Sequence, residues 1–417
     1  MGTDAVVLGA GTAGMVAALR LAVAGASVLV LAEGQGGLPL APAQIDVLGY
    51  RPQLVLDPVG EIPGFLESRP DHPYRLVEAA EVEAGLDWFL ELAAPLGYTG
   101  NPHQNRLQPT AVGALRPTCL VPETMAAGDL SDGGSVLVVG LKGFRDFHAP
   151  LLAENLALAR PPSGAEVRAR SVEVSLLGDP RDLRPQLLVR RLEERPVLAE
   201  LGREIRSRLE QEDLVGVPAV LGLERSHEVW QRLQELVGRP VFEIPTPPPS
   251  QPGQRLQQHL FRALRRLGGE VRLGARASGY RASGDRLVAV KVVTAAREVE
   301  IPADRFVLAT GGIGTGGITV GPEGELREEV FGARVSRGGA PEEPLVEYLA
   351  TQPLDRLGVE VDDEQRPLGK TGGALFENLW VAGAALAGAE PWREKSGEGI
   401  SLATGYRAAR LAGGRRA

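Results

Sequence analysis

The 417-residue chain holds a single cysteine, Cys119. One thiol excludes an internal disulfide. It also excludes an iron–sulfur cluster held by this chain alone, because the common clusters take four cysteines. No metal site is expected. Lysine is scarce too: Lys142, Lys291, Lys370 and Lys395 are the only ones among 45 basic residues, against 53 acids, for a formal net charge of -8. That balance leaves no basic face for nucleic acid. No uninterrupted apolar run reaches the ~18 residues of a membrane span. Residues 4–8 already read as a strand, which leaves no room for a signal peptide, so a cytoplasmic location is expected. What is there, 43% hydrophobic and 24% charged residues, is the make-up of a soluble globular chain long enough for two compact domains.

The chain is organised around its first thirty residues. Residues 4–8 form a short run of buried-strand character, followed by GAGTAG at 9–14, a nearly all-apolar helical stretch and a second apolar strand at 27–32. Gly9, Gly11 and Gly14 thus stand at the strand-to-helix turn of a βαβ unit. Gly9 permits the tight turn, Gly11 lets backbone amides approach phosphate oxygens, and Gly14 lets helix and strand pack closely. Thr12 and Ala13 open the helix, whose N-terminus favours the same anion. A dinucleotide site of this kind places a carboxylate at the end of the second strand. Here that place is Ala32 and the acid follows at Glu33. Either Glu33 holds an adenosine ribose, or no adenosine sits there, which suits FMN better than FAD.

The expected fold is α/β: an FAD/NAD(P)-binding, Rossmann-like flavin domain of residues 1–50 and 246–417, with an inserted α+β domain for substrate or partner at 51–245. Gly36 and Gly37 belong to a glycine-rich loop passing over the cofactor. Within the insert, strands are expected at 135–140, 167–177, 187–190 and 214–221, and helices at 74–96, 192–212 and 227–237. The proline run at 245–250 marks the return to the first domain. An amphipathic helix at 255–267, a strand at 270–273, a hairpin over 287–302 and a buried strand at 305–312 follow. Thr310, Gly311 and Gly312 end that strand in small residues that let the backbone cross close to a cofactor. Residues 314–340 are loose, and an excursion near 314–360 toward the insert is expected. A last parallel strand at 378–383 ends on Gly383. Gly397 and Gly399 then lead into a closing helix at 400–411 whose N-terminal dipole faces the flavin.

Together these pieces resemble the B subunit of the anaerobic glycerol-3-phosphate dehydrogenase. The likeness is carried by GAGTAG at 9–14, GQ at 34–35, IDVL at 45–48, HPY at 72–74, PTPPPS at 245–250 with Gly253, Arg255 and Leu256, LATGGI at 308–313 with GGI at 316–318, and NLWVAG at 378–383. The resemblance implies a flavin, FMN in this member of the complex with FAD as the alternative. It also implies two partners. One is the catalytic, FAD-carrying A subunit, and the other is the membrane-associated, iron–sulfur C subunit that passes electrons to quinone. The chain would then lie peripheral to the inner face of the cytoplasmic membrane through those partners. It departs from the family at 391–396, where PWREKS replaces a more glycine-rich run.

The activity so implied is oxidation of glycerol 3-phosphate, a small phosphorylated substrate, to dihydroxyacetone phosphate, or relay of its electrons. Arg116 and Arg255 are the candidates for holding a phosphate, because guanidinium forks match its geometry. His72 and His103 are the candidate bases. Two rival readings stay open. One is a free-standing FAD oxidoreductase of a small acid, and the other is a non-catalytic flavin-fold scaffold.

Overall fold

The computed structural model describes residues 2–178, 182–294, 297–347 and 349–414. Strand Thr3–Leu8 carries only apolar side chains after Asp4, and it is flanked on both sides by parallel partners, Val28–Ala32 and Glu298–Leu308. A strand covered on both faces needs such a continuous apolar run. Outward from Val28–Ala32 lies Glu270–Leu273, and outward from Glu298–Leu308 lies Leu379–Val381, both parallel. The strand Glu298–Leu308 does two jobs. Its first half pairs antiparallel with Arg286–Val293, which pairs in turn with Arg276–Ser283, and its second half enters the parallel sheet. The second arm of the expected hairpin and the expected buried strand are therefore one 11-residue strand. Arg276–Ser283 has no strand signal of its own; a turn at Gly284, φ +62°, folds it onto its neighbour.

Helix Thr12–Val23 is buried along nearly its whole length. Helix Gly397–Gly414 lies against it so closely that a Cβ on Gly405 would stand 2.5 Å from Ala13 O. The expected start of the closing helix at 400 is thus three residues late. Helix Gln251–Arg266 opens the return segment, with the Ser250 hydroxyl accepting from Gly253 N at 3.1 Å. That N-cap follows the proline run directly.

The insert differs from expectation. Its strands Gly134–Leu141, Val167–Val174, Leu214–Pro218 and Val241–Ile244 form one four-stranded sheet in which every pair is parallel, an α/β unit and not α+β. The strand expected at 187–190 is part of helix Pro185–Arg191 instead. Pro185 fits the first turn of a helix, and Leu188 and Val189 are buried while Leu187 is exposed, a one-sided pattern. Two apolar cores result. Residues from Leu130 to Ile244 make one, while Ile45, Tyr74, Leu86, Phe89 and Leu120 join the core of the larger sheet. Ile318, Val330 and Phe331 join that larger core too, so the 314–360 stretch does not pack into the insert's core. Accordingly, the cores divide near residue 130 and not at 51. Among the described residues no helix is long and apolar enough to cross a membrane.

Candidate functional site

Leu8 ends the first strand, and the chain turns through Gly9 into helix Thr12–Val23. Gly9 has φ +114°, and a Cβ there would stand 2.1 Å from Ala309 O; one on Gly14 would stand 2.0 Å from Gly9 O. Backbone meets backbone at both places, so both exclude a side chain. Gly11 differs, since a Cβ on it would meet nothing within 4 Å. Space lies open over the turn. Gly11 is the N-cap of the helix and supplies no side-chain cap to the first-turn amides. Uncapped amides, a positive dipole end and open space are what an anion needs.

Three more segments close around this turn. The loop after Val28–Ala32 folds back so that a Cβ on Gly36 would stand 2.8 Å from Gly11 N, and Gln257 donates to Gln35 O at 2.5 Å to hold it. Glu33 is exposed, one residue past the strand end. Ala309 N donates to Leu8 O at 2.8 Å, which sets Thr310, Gly311 and Gly312 beside the turn. On the third side, a Cβ on Gly383 would stand 2.6 Å from Ala13 Cβ. The Thr12 hydroxyl donates to Glu398 Oε2 at 2.7 Å, across 386 positions of sequence. Gly399 N donates to Asp46 O at 2.8 Å, so the segment 45–48 also meets the closing helix.

Among the described residues, Gln44 Nε2, Asp46 Oδ1 and Thr310 Oγ1 on or next to these segments, and Nε of Arg116, which bonds Asp46 from strand Leu115–Thr118, are buried with no hydrogen-bond partner. Orphaned buried groups on segments that meet near the turn fit a polar ligand bound among them. The electrostatics are those of a desolvated site. Burial pushes the Asp46 carboxyl above its usual range although Arg116 donates to its other oxygen. Loss of water likewise pushes Glu398 up, and Asp46 adds to the rise, while the Thr12 hydroxyl and Arg116 pull it down. Lys395, in the left-handed region at φ +50°, is lowered by burial and by Arg116.

Of the four expected catalytic candidates, only Arg116 lies here. His72 is fully buried, with Nε2 3.2 Å from Glu394 Oε2 and Nδ1 accepting from Tyr74 N. Its environment is a packed contact between Phe65 and Tyr74. Burial lowers its pKa, against the opposing pull of Glu394. His103 is exposed and pairs with Asp57 at 2.9 Å. Arg255 is buried, donating to Glu243 at 2.5 and 2.9 Å and to Gly222 O at 2.9 Å, which ties its helix to the insert. Gln44, Asp46, Lys395 and Glu398 are site residues that sequence reasoning misses. Glu398 carries one weak signal, an acid between two glycines at a helix start, but that pattern ordinarily reads as a dipole partner. Beside the site, a cleft of about 440 Å³ is lined by Arg51, Arg69, Arg393, Glu390 and Glu394.

Residues 4–400 match the family model of the FAD binding domain. The chain is 34% identical to the probable B subunit of anaerobic glycerol-3-phosphate dehydrogenase from Halobacterium salinarum, over 97% of this chain and 96% of that one. It is 30% identical to the B subunit of anaerobic glycerol-3-phosphate dehydrogenase from Vibrio cholerae, over 97% and 95%. The chain belongs to this family of B subunits. Among solved structures it resembles the 3-ketosteroid Δ1-dehydrogenase of Sterolibacterium denitrificans, with a TM-score of 0.48 and 12% identity over 99% of both chains. As a member of the B-subunit family with an FAD binding domain, it is a flavoprotein oxidoreductase, and the group that its cradle fits is a flavin.

Proposed function

We propose that the chain is the flavin-bearing B subunit of a complex that oxidises glycerol 3-phosphate to dihydroxyacetone phosphate and delivers the electrons to quinone. The partners in this reading are an FAD-carrying A subunit plus a membrane-associated, iron–sulfur C subunit, which together hold the chain at the inner face of the cytoplasmic membrane. The observation that carries it is the Thr12–Glu398 contact, which brings the glycine turn and the closing helix of a B-subunit family member into one cradle.

A flavin bound there would accept two electrons and release them singly. The chain's own residues do the rest. Amides of Gly11, Thr12 and Ala13 would hold its phosphate, Gly36 and Gly37 would cover it, and Thr310 to Gly312 would line its far side. The amides at Gly397 and Glu398 lie at the positive end of a helix and favour negative charge placed before them. Glu33, exposed one residue past the strand end, would meet an adenosine ribose only from that later position. The match to an FAD binding domain favours FAD over the FMN implied by resemblance.

Relay is favoured over the hydride step in this chain, because neither histidine proposed as a base reaches the cradle. The test is anaerobic mixing of the purified, flavin-loaded chain with glycerol 3-phosphate. No bleaching of the chain alone, and bleaching once the A subunit is added, is the expected result. Bleaching of the chain alone would assign it the hydride step. No bleaching under either condition would sink the substrate reading.

A further inference from the structure

The carboxylate of Glu398 reaches the first residue of the helix that follows the glycine turn. Its Oε2 accepts from the Thr12 hydroxyl at 2.7 Å, and Thr12 is the first residue of a helix with no side-chain cap. An acid from the last helix therefore lies beside the uncapped end of the first and bonds its leading side chain. The residues 9–14 contain no cation to balance a second anion. Of the charged groups that face Glu398, Asp46 comes from the segment 45–48 and repels it, while Arg116 of strand Leu115–Thr118 attracts it. Tyr98 of strand Tyr98–Gly100 also feels its field, but its phenol is far above its ordinary range and stays neutral, donating to Ala43 O. Lys395, three residues before Glu398, lies within the field of Asp46 and Arg116.

We propose that Glu398 competes with the flavin's phosphate for the Thr12 hydroxyl, and yields that hydroxyl only on taking up a proton. This rests on reading the turn as the flavin-phosphate site. The proton comes from solvent and stays on the Glu398 carboxyl. The Thr12 hydroxyl passes from carboxylate to phosphate, so it keeps one anionic acceptor before and after. A carboxyl group that must be protonated for binding gives a fixed sign. Affinity is independent of pH below its pKa in the free protein, and falls tenfold per pH unit above it.

The experiment is calorimetric titration of the cofactor-free full chain with FAD and separately with FMN, over about pH 5–8, in pairs of buffers with different ionisation heats. The expected result is uptake of about one proton per FAD above the Glu398 pKa. Glu398→Gln, which keeps the shape and an acceptor for Thr12, is expected to take up none and to bind FAD with a flat pH profile. FMN brings a phosphate that titrates near neutrality, and the same variant corrects for it. FAD binding to the wild type with no proton uptake, or with the same pH profile as Glu398→Gln, overturns the proposal and leaves the flavin site standing. No binding of either flavin to either protein at any pH would overturn the flavin site and the proposal with it.

Discussion

Arg255 offers a sharp separation between a ligand-binding and a structural role. It lies on helix Gln251–Arg266, while Glu243 lies on strand Val241–Ile244 of the second sheet. Their side chains are 6% and 0% exposed. Glu243 accepts four hydrogen bonds: two from Arg255, at 2.5 and 2.9 Å, one from the Thr124 hydroxyl at 2.8 Å and one from Leu221 N at 2.9 Å. Arg255→Met removes both charge-assisted bonds and leaves a carboxylate out of water with two neutral donors. Breaking a buried pair in this way costs about 3–5 kcal/mol. Arg255→Met with Glu243→Gln removes the stranded charge, and most of that loss is expected to return.

The assay is urea denaturation of the cofactor-free chain, followed by circular dichroism, across the four proteins of the double-mutant cycle. Because the pair joins the helix of one core to the sheet of the other, the single variant is expected to split unfolding into two transitions. The two midpoints then replace a single stability, since two-state behaviour no longer holds. The reasoning is refuted if Arg255→Met unfolds like the wild type and instead loses affinity for inorganic phosphate or glycerol 3-phosphate. That outcome would make Arg255 a ligand contact after all.

Gly14→Ala places a methyl group 2.0 Å from Gly9 O, against backbone that cannot move aside, so the turn must distort at a cost of about 1–3 kcal/mol. A lower ratio of flavin absorbance to protein in the purified variant is expected, and an unchanged ratio would remove the turn from the cofactor site. Burial lowers the His72 pKa below its ordinary value of 6.5, so the unfolded chain binds the extra proton more readily than the folded one. Stability should therefore fall as pH drops below 6.5 and level off once the folded pKa is passed; melting temperatures of the wild type and His72→Asn against pH should show that dependence shrink in the variant.

Local rules make the cradle's frame legible. The strand, glycine turn and helix at 3–23 follow from neighbouring residues alone, because Gly9 and Gly14 answer steric demands set within a few positions. Parallel pairing within the insert is hidden, because partners such as Gly134–Leu141 and Leu214–Pro218 lie far apart and no residue in either reports the direction of the other. The same distance defeats the choice of bases. HPY at 72–74 looks like a reactive group on a loop, but Glu394, 322 positions later, turns His72 into a buried structural partner. Arg255 fails for the complementary reason, since its exposed-looking arginine-rich helix has its N-terminal end buried between two cores.

The scarcity of lysine takes on meaning at the cradle. Two acids, Asp46 and Glu398, share it with two cations, Arg116 and Lys395, and burial raises both acids while lowering Lys395. With both acids ionised, the cradle is neutral and a flavin's phosphate adds uncompensated charge in a poorly solvated place. With Glu398 protonated, one cation is left over to meet that charge. The alternative solution, another lysine or arginine on the glycine turn, is absent from residues 9–14, where side chains would collide with Ala309 O and Gly9 O at two of the three glycines. Residues 9–14 supply amides but no cation, so charge balance comes from across the cradle. The acid that reaches it from the closing helix can balance charge only by gaining a proton.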